Sequence, residues 1–340
     1  VEEVARFHGY DTLSEREWNA SGLAAKRAPL ESWITRIREA WVALGFSEMK
    51  NPVLSDPEMH RKAGIAEDEM TARGVHIVDP QSTEQSLMRL SLLPAALGAI
   101  ARNQRHGRSE VRLFEIGATY RWAETGPLAD EPLELLVVAT GGDFGPDLTR
   151  LDPVMDELRF KGLVEAFLAR LRIDTPEWRC YDATGLINGT SAIITSGNTR
   201  LGDVGTLSGD RTTAFGIDRP VYRAHFDVAA LLASRREVVR FREVSRFPAS
   251  RRDLAFLVDR TVDEGAVREA IRKLGGALLV EAVLFDRFEG KPLPEGKISL
   301  AYALRFRADD RTLSDEDVRR AAGEIAEGLA KSLGAELRDG

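Results

Sequence analysis

Two hydrophobic patterns alternate along the chain, a helical repeat of three and four residues and a strict every-other-residue repeat. The first strong signal is helical. Leu30, Trp33, Ile34, Ile37, Trp41 and Leu44 recur at helical spacing, Pro29 suits the first turn, and Gly45 supplies a stop. Before it, residues 1–12 read as the end of a helix closed by Gly9, and residues 13–28 as a polar linker. The helical stripe is wide and carries two tryptophans. Trp33, Ile37 and Trp41 therefore admit two explanations, ordinary core packing or contact with a partner subunit. From Phe46 to Ile77 the pattern is loop-like. A second helix spans Leu92–Gln104, followed by a strand in which Phe114, Ile116, Ala118, Tyr120 and Trp122 share one face. A strand over Leu133–Thr140 precedes a long helix opened by Asp152-Pro153, with Met155, Leu158, Val164, Phe167, Leu168 and Leu171 at its apolar positions. Short strands with Gly and Asn turns fill 185–218, and a strand Val221–Phe226 runs into a short helix Val228–Leu232. Strands joined by turns, with helices on one side, predict a mostly antiparallel α+β sheet.

A charge-dense stretch, Arg235–Glu243, marks a domain boundary. Beyond it the pattern is regular: strand Asp253–Val258, helix Asp263–Leu274 stopped by Gly275-Gly276, strands Leu279–Glu289 and Lys297–Ala308, a helix capped by Ser314, and a last strand Ala335–Arg338. The order βαββαβ predicts a ferredoxin-like domain with both helices on one face of the sheet. Alternation then assigns the other face. Leu254, Phe256, Val258, Val283, Phe285, Ile298, Leu300, Tyr302, Leu304 and Phe306 turn inward. Asp253, Ala255, Leu257, Asp286, Phe288, Ser299, Ala301, Ala303, Arg305 and Arg307 remain on the open side. A ring among small residues suits base stacking, worth roughly 1–3 kcal/mol per base. Asp286 and Ser299 suit a base edge, and Arg305 and Arg307 suit phosphate. Small-ligand binding and sheet pairing are equally open to such a face, because a fold does not fix a function.

Composition narrows the classes. At 340 residues the chain calls for two domains or three. No apolar run approaches the roughly 18 residues that cross a bilayer, and the start has neither basic end nor apolar stretch of a signal peptide. A cytoplasmic setting is expected. The first residue is Val rather than Met, so the sequence is expected to begin inside a longer protein. A single cysteine, Cys180, excludes an internal disulfide framework and reads as a packed thiol. The net charge of −7 argues against indiscriminate nucleic-acid binding and leaves a local RNA surface open. Gly141-Gly142 and the Gly202–Gly205 segment read as turns rather than phosphate loops, and the five histidines, His60 and His76 among them, lack metal-ligand or triad spacing.

Ser245-Arg246-Phe247-Pro248, Arg251-Arg252-Asp253-Leu254-Ala255, Leu284-Phe285-Asp286, Glu289-Gly290, Pro294-Glu295-Gly296-Lys297, Ser299-Leu300-Ala301 and Arg311-Thr312-Leu313-Ser314-Asp315-Glu316 share one origin. They closely resemble the C-terminal ferredoxin-fold anticodon-binding domain of bacterial phenylalanyl-tRNA synthetase β subunits. Val1–Arg6 with Gly9-Tyr10-Asp11 resembles the end of the preceding DNA-binding-like domain of that family. Asp79-Pro80, Arg89, Ser91–Pro94, Asn103, Leu113–Gly117, Lys161-Gly162 and Glu165 resemble its synthetase-like core. The resemblance implies residues 1–12 from that preceding domain, a linker over 13–28, a catalytically degenerate class II synthetase-like core over 29–236, and an anticodon-binding domain over 245–340. Its oligonucleotide-fold and editing domains would lie upstream.

Residue by residue, the resemblance implies anticodon contacts at Ala255, Asp286, Phe288 and Ser299, with Phe288 standing where the family commonly has Tyr. It implies two carboxylate ligands of a partial or shared Mg2+ site at Glu2 and Glu3. It also implies a catalytic α subunit that uses ATP, an α2β2 heterotetramer, and tRNA(Phe) as the RNA partner. Loss of chemistry is legible on its own. Class II adenylation needs an Arg on one strand and another on a closing helix to hold phosphates. Leu113 stands at the first position, the helix Phe226–Leu232 has none, and Arg235 and Arg236 read as surface charge. Leu186-Ile187-Asn188-Gly189 and Leu207-Ser208 depart from the family's Leu-His-Pro-Gly and His-Pro. Two other classes remain: an autonomous adenylating enzyme, which would need the missing arginines, and a small-molecule (amino-acid) sensing regulatory module, which shares the βαββαβ plan.

Overall fold

Pro29–Ala43 forms helix α1, with Pro29 at its first turn, where the absent N–H has no partner to lose. In this computed structural model, which describes residues 1–14, 28–123, 127–142, 155–173, 176–236, 241 and 245–338, the tryptophan stripe faces inward. Trp33, Ile37 and Trp41 are 1%, 0% and 0% exposed. Trp41 stacks on Phe167 with ring centroids 4.6 Å apart and meets Phe46 edge-on at 4.8 Å. The partner-contact explanation for these three residues therefore gives way to core packing. Arg235 is no loose surface charge either, since its guanidinium lies 5.3 Å from the Trp33 ring centroid.

Leu93–Arg105 forms α2 and Glu157–Arg170 forms α3. The α3 N-cap is Asp156, whose carboxylate accepts from the Arg159 N–H; Asp152-Pro153, expected to open this helix, lies outside the described residues. So do most of the 13–28 linker and parts of the Arg235–Glu243 stretch. Leu158 faces solvent, while Val164, Phe167 and Leu168 are buried. These helices accompany strands β1 (Ser47–Glu48), β2 (Val111–Ala118), β3 (Leu133–Thr140), β4 (Thr199–Thr206) and β5 (Tyr222–Asp227). The strands lie in the order β1-β2-β3-β5-β4. β1 runs parallel to β2, and the other pairs are antiparallel.

Three local features differ from the sequence expectation. β2 stops at Ala118 rather than running on to Trp122, because the Thr119 and Tyr120 N–H groups donate to Pro132 and Arg89 carbonyls instead. The loop-like 46–77 stretch holds helices Pro57–Lys62 and Glu67–Arg73, each too short for a periodic signal. Gly202 and Gly205 are strand residues of β4, not turns. A Cβ at Gly202 would meet the His225 carbonyl oxygen at 2.0 Å, so the neighbouring backbone, rather than a turn, requires glycine there.

By compactness the chain divides into Val1–Ile173, Asp182–Ser191 and Leu201–Arg235 as one unit, and Asp174–Tyr181, Ala192–Arg200 and Arg236–Gly340 as the other. An antiparallel hairpin of Glu177–Cys180 and Ala192–Ser196 groups with the second unit. Cys180 at its end is exposed, not packed.

The main body of the second unit comprises β6 (Ser250–Asp259), α4 (Glu264–Gly275), β7 (Leu279–Glu289), β8 (Lys297–Phe306), α5 (Asp315–Leu333) and β9 (Glu336–Arg338). The sheet order is β7-β8-β6-β9, the ferredoxin-like arrangement. Asp263 caps α4 at the Gly265 N–H, and Ser314 with Asp317 forms a reciprocal capping box on α5. Phe256, Val258, Leu300, Tyr302 and Leu304 of the sheet pack with Val267, Ile271, Ile325 and Leu329 of the helices. The buried Tyr302 hydroxyl donates to Glu264 Oε1 at 2.9 Å, which satisfies the polar atom that β8 sends into the core.

Replacing Trp41 by Ala removes the stack on Phe167 and leaves a cavity in the first core. The expected cost is about 3–5 kcal/mol, read as a fall in the urea midpoint, whereas a solvent-facing Trp would leave it nearly unchanged.

Candidate nucleic-acid interface

With both helices on one side of the β7-β8-β6-β9 sheet, the ladder register fixes what stands on the other. Leu254, Phe256 and Val258 of β6 pair with Tyr302, Leu300 and Ile298 of β8 on the helix side. The intervening residues form cross-strand rows on the open side. One row is Glu281, Arg305 and Arg251, and the next is Val283, Ala303 and Asp253. The third is Asp286, Ala301, Ala255 and Arg338, and the fourth is Phe288, Ser299, Leu257 and Glu336. Ala255, Asp286, Phe288 and Ser299 thus occupy two adjacent rows of one face.

Strict alternation cannot produce this arrangement in β7. Leu284 pairs with Tyr302 and Asp286 with Ala301, so the register shifts across Phe285. Such a bulge sets two residues of one strand against one of its partner and reverses the parity of the residues beyond it. Ala282 and Leu284, rather than Val283 and Phe285, pack on the core. Val283 and Phe285 are exposed, in contrast to the inward positions that alternation assigns them. Asp286 and Phe288 face the open side because the bulge precedes them.

Three other residues have surroundings that alternation does not reveal. Ser299 is only 5% exposed, in a row between Leu257 and Phe288. Arg305 meets Glu281, its cross-strand neighbour, at 3.3 Å. Arg307 lies past the end of β8, half-buried, with Asp309 at 3.8 Å. Arg251 and Arg338, which alternation along β7 and β8 does not reach, join the face from β6 and β9. Arg251 donates to Asp253 at 2.9 and 3.2 Å, and that hydrogen bond raises its already high pKa. These exposed pairs are weak and exchangeable, so the guanidinium groups stay available to another anion.

The first unit carries a second polar face. Leu113, Val138, Arg223 and Gly205 form one row of its sheet, and Glu115, Leu136, His225 and Asp203 the next. Here the charges answer one another. Arg89 donates to Glu115 at 2.6 Å with both side chains buried, and the Asn51 amide also donates to that carboxylate at 2.6 Å. Arg223 pairs with Asp203 at 2.5 Å and Arg121 with Glu134 at 3.1 Å. His225 stands between Glu134, at 3.0 Å, and Asp203, at 3.8 Å. Burial opposes its charge, but hydrogen bonds and attraction from Asp203 and Glu134 prevail and raise its pKa to about 9. His60 is the opposite case. Burial lowers its pKa, its Nε2 accepts from the Leu90 N–H, and its Nδ1 bonds the Asp56 carbonyl. It is a satisfied core histidine.

Residues 19–228 match the phenylalanyl-tRNA synthetase beta chain CLM domain, and residues 245–338 match the ferredoxin-fold anticodon binding domain. The chain belongs to the phenylalanyl-tRNA synthetase β chain family. It is 33% identical over 339 residues to the phenylalanine–tRNA ligase beta subunit of Syntrophotalea carbinolica and 35% identical over 348 residues to that of Moorella thermoacetica. Each alignment takes in 99% of this chain and 42% of the relative, so the chain spans less than half the length of these proteins. A solved pyrrolysyl-tRNA synthetase of Desulfitobacterium hafniense aligns over 61% of this chain and 66% of its own, at 17% identity and a TM-score of 0.49. The fold of this phenylalanyl-tRNA synthetase β chain segment is α+β, with a mostly antiparallel sheet in the first unit and a ferredoxin-fold anticodon-binding domain in the second.

The carboxylates that resemble ligands of the family's magnesium site, Glu2 and Glu3, lie on the exposed helix Glu2–His8. Arg6 holds Glu3 at 2.8 Å, and among the described residues no group of three or more His, Cys, Asp or Glu could hold a metal. Two carboxylates alone are fewer than a cation site needs, so at most they form part of one. No helix among the described residues is long and apolar enough to cross a membrane.

Because the folded His225 pKa of about 9 exceeds its ordinary 6.5, its contribution to stability is complete below pH 6.5 and is lost as pH rises through 9. The urea midpoint should fall across that window, and His225→Gln should flatten that limb. A limb equally steep in the variant would assign the pH dependence to another group.

Proposed function

We propose that this chain is the part of a phenylalanine–tRNA ligase β subunit that holds the anticodon of tRNA(Phe) during ATP-dependent charging. One observation carries the proposal. The four side chains matched to anticodon contacts come from three different strands and still fall in two adjacent rows of the face opposite the helices. An exposed ring supplies a stacking surface, a carboxylate supplies acceptors for a base edge, and small residues beside them leave room for a planar base. Arginines at the margins of that face supply charge for the backbone without turning a net-acidic chain into an indiscriminate polyanion binder.

The activation chemistry resides elsewhere in this proposal, on a catalytic α subunit of an α2β2 heterotetramer working in the cytoplasm. Leu113 occupies the strand position at which a phosphate-holding Arg is needed. Arg89, Arg121 and Arg223 are already committed to Glu115, Glu134 and Asp203. A buried guanidinium whose charge is matched by its own carboxylate gains little by exchanging it for a nucleotide. This segment contributes by positioning. Fixing the anticodon end lowers the entropic cost of presenting the acceptor end to a distant catalytic site. Docking of α falls to a surface other than the buried Trp33–Ile37–Trp41 stripe.

Phe288→Ala and Asp286→Ala should each weaken binding of cognate tRNA by about 1–3 kcal/mol, measured by filter binding with unfractionated tRNA as competitor. Unchanged affinity in both variants would sink the anticodon assignment. Phenylalanine binding to the chain with no tRNA binding would favour a small-molecule sensor instead.

A further inference from the structure

We propose that Phe285 is a second base-stacking platform, so that β7 presents ring, carboxylate and ring to consecutive bases of the RNA loop. The proposal rests on the anticodon reading of this face and adds to it a residue to which the resemblance assigns no contact. With Val280, Phe285 is one of two positions at which β7 and β8 change register. Leu284 before it faces the helices opposite Tyr302, and Asp286 after it faces the open side opposite Ala301. A bulge sets Phe285 and Asp286 together against Ala301, a partner too small to cover either. The ring is 54% exposed, more than Phe288 at 39%.

Leaving two phenylalanines and Val283 in water on one strand is unfavourable unless something covers them. β7 is the edge of the four-stranded order, so among the described residues no further strand of this sheet does so. The occupant is argued from shape and charge. A protein strand adding to this edge needs a regular ladder of free backbone groups, and the bulge interrupts that ladder in mid-strand. A single-stranded RNA needs ring faces and cations instead. Arg305 and Arg338 stand in rows at and near Asp286, each on the same face. Phe285 and Phe288 flank the Asp286 carboxylate in sequence, so a base read at its edge by Asp286 would have an aromatic surface to either side.

The test uses the full chain and an RNA stem–loop carrying the cognate anticodon, with affinity read by fluorescence anisotropy. Phe285→Ala should weaken binding about 5- to 150-fold, the range that loss of one base–aromatic stack gives. Phe285→Tyr should bind as the parent does. Phe285→Leu keeps apolar bulk without a ring and should lose affinity as the Ala variant does, so it carries the test if Phe285→Ala melts early. If Phe285→Leu binds like the parent while Phe288→Ala and Asp286→Ala weaken binding, this proposal is overturned and the anticodon reading stands. If all of these variants bind like the parent, the anticodon reading fails and takes this proposal with it. If Phe285→Ala keeps its RNA affinity but loses association with the catalytic subunit, the ring is a protein contact and the proposal is overturned.

Discussion

Between Leu284 and Asp286, strand β7 gains one residue relative to β8, and that residue determines which side chains the second unit offers to its surroundings. Before it, Ala282 and Leu284 close the core over α4; after it, Asp286 and Phe288 turn outward. Without the bulge, continuous alternation from Leu284 would send Asp286 and Phe288 under the helices. A carboxylate would then enter a core in which the Tyr302 hydroxyl already takes Glu264 as its partner. Core formation and the open-face site are thus incompatible at a single register and compatible across a shift. The irregularity lets one strand serve a core at one end and a site at the other.

The first unit meets a different constraint. A polar face on a buried sheet has to be either filled by a ligand or satisfied internally, because uncompensated charge in such a place is costly. Glu115 accepts from both Arg89 and Asn51, and His225 lies between two carboxylates. Each of these acids has a resident base within its own fold. Such mutual neutralisation adds little net stability over an apolar core, but breaking either partner strands a charge, which keeps the arrangement in place. The opposite side of the unit is held by ring packing, with Trp41, Phe167 and Phe226 in sequence across helix, helix and strand.

The second unit is largely legible in the sequence, because its elements are long enough to repeat their pattern. The two ends of β7 agree with the expected Leu279–Glu289, and Ser314 announces α5 through its side chain and the acids after it. The site is legible in part. Alternation puts Phe288 and Asp286 on the correct face, but only by putting Val283 and Phe285 on the wrong one. A bulge leaves no periodic trace, since it is an interruption of the period. Ser299 escapes for another reason. A face says which way a side chain points and not how much of it stays exposed. The tryptophan stripe of α1 shows the same limit: amphipathicity shows that a stripe is covered and not by what. Charge pairing is least legible, because Arg89 and Glu115, 26 residues apart, meet only through the fold.

The two faces answer their charges in different ways. A catalytic face must leave charges unanswered until substrate arrives, whereas a scaffold face gains stability by answering them. In the first unit the guanidinium groups of Arg89, Arg121 and Arg223 turn to resident carboxylates. On the open face of the second unit the ion pairs are exposed instead. There the exposed rings and weakly paired arginines are features that a self-sufficient domain would have covered. Unanswered surface is therefore the better guide to function in this chain than inherited fold, and it lies on the sheet whose register is broken at Phe285.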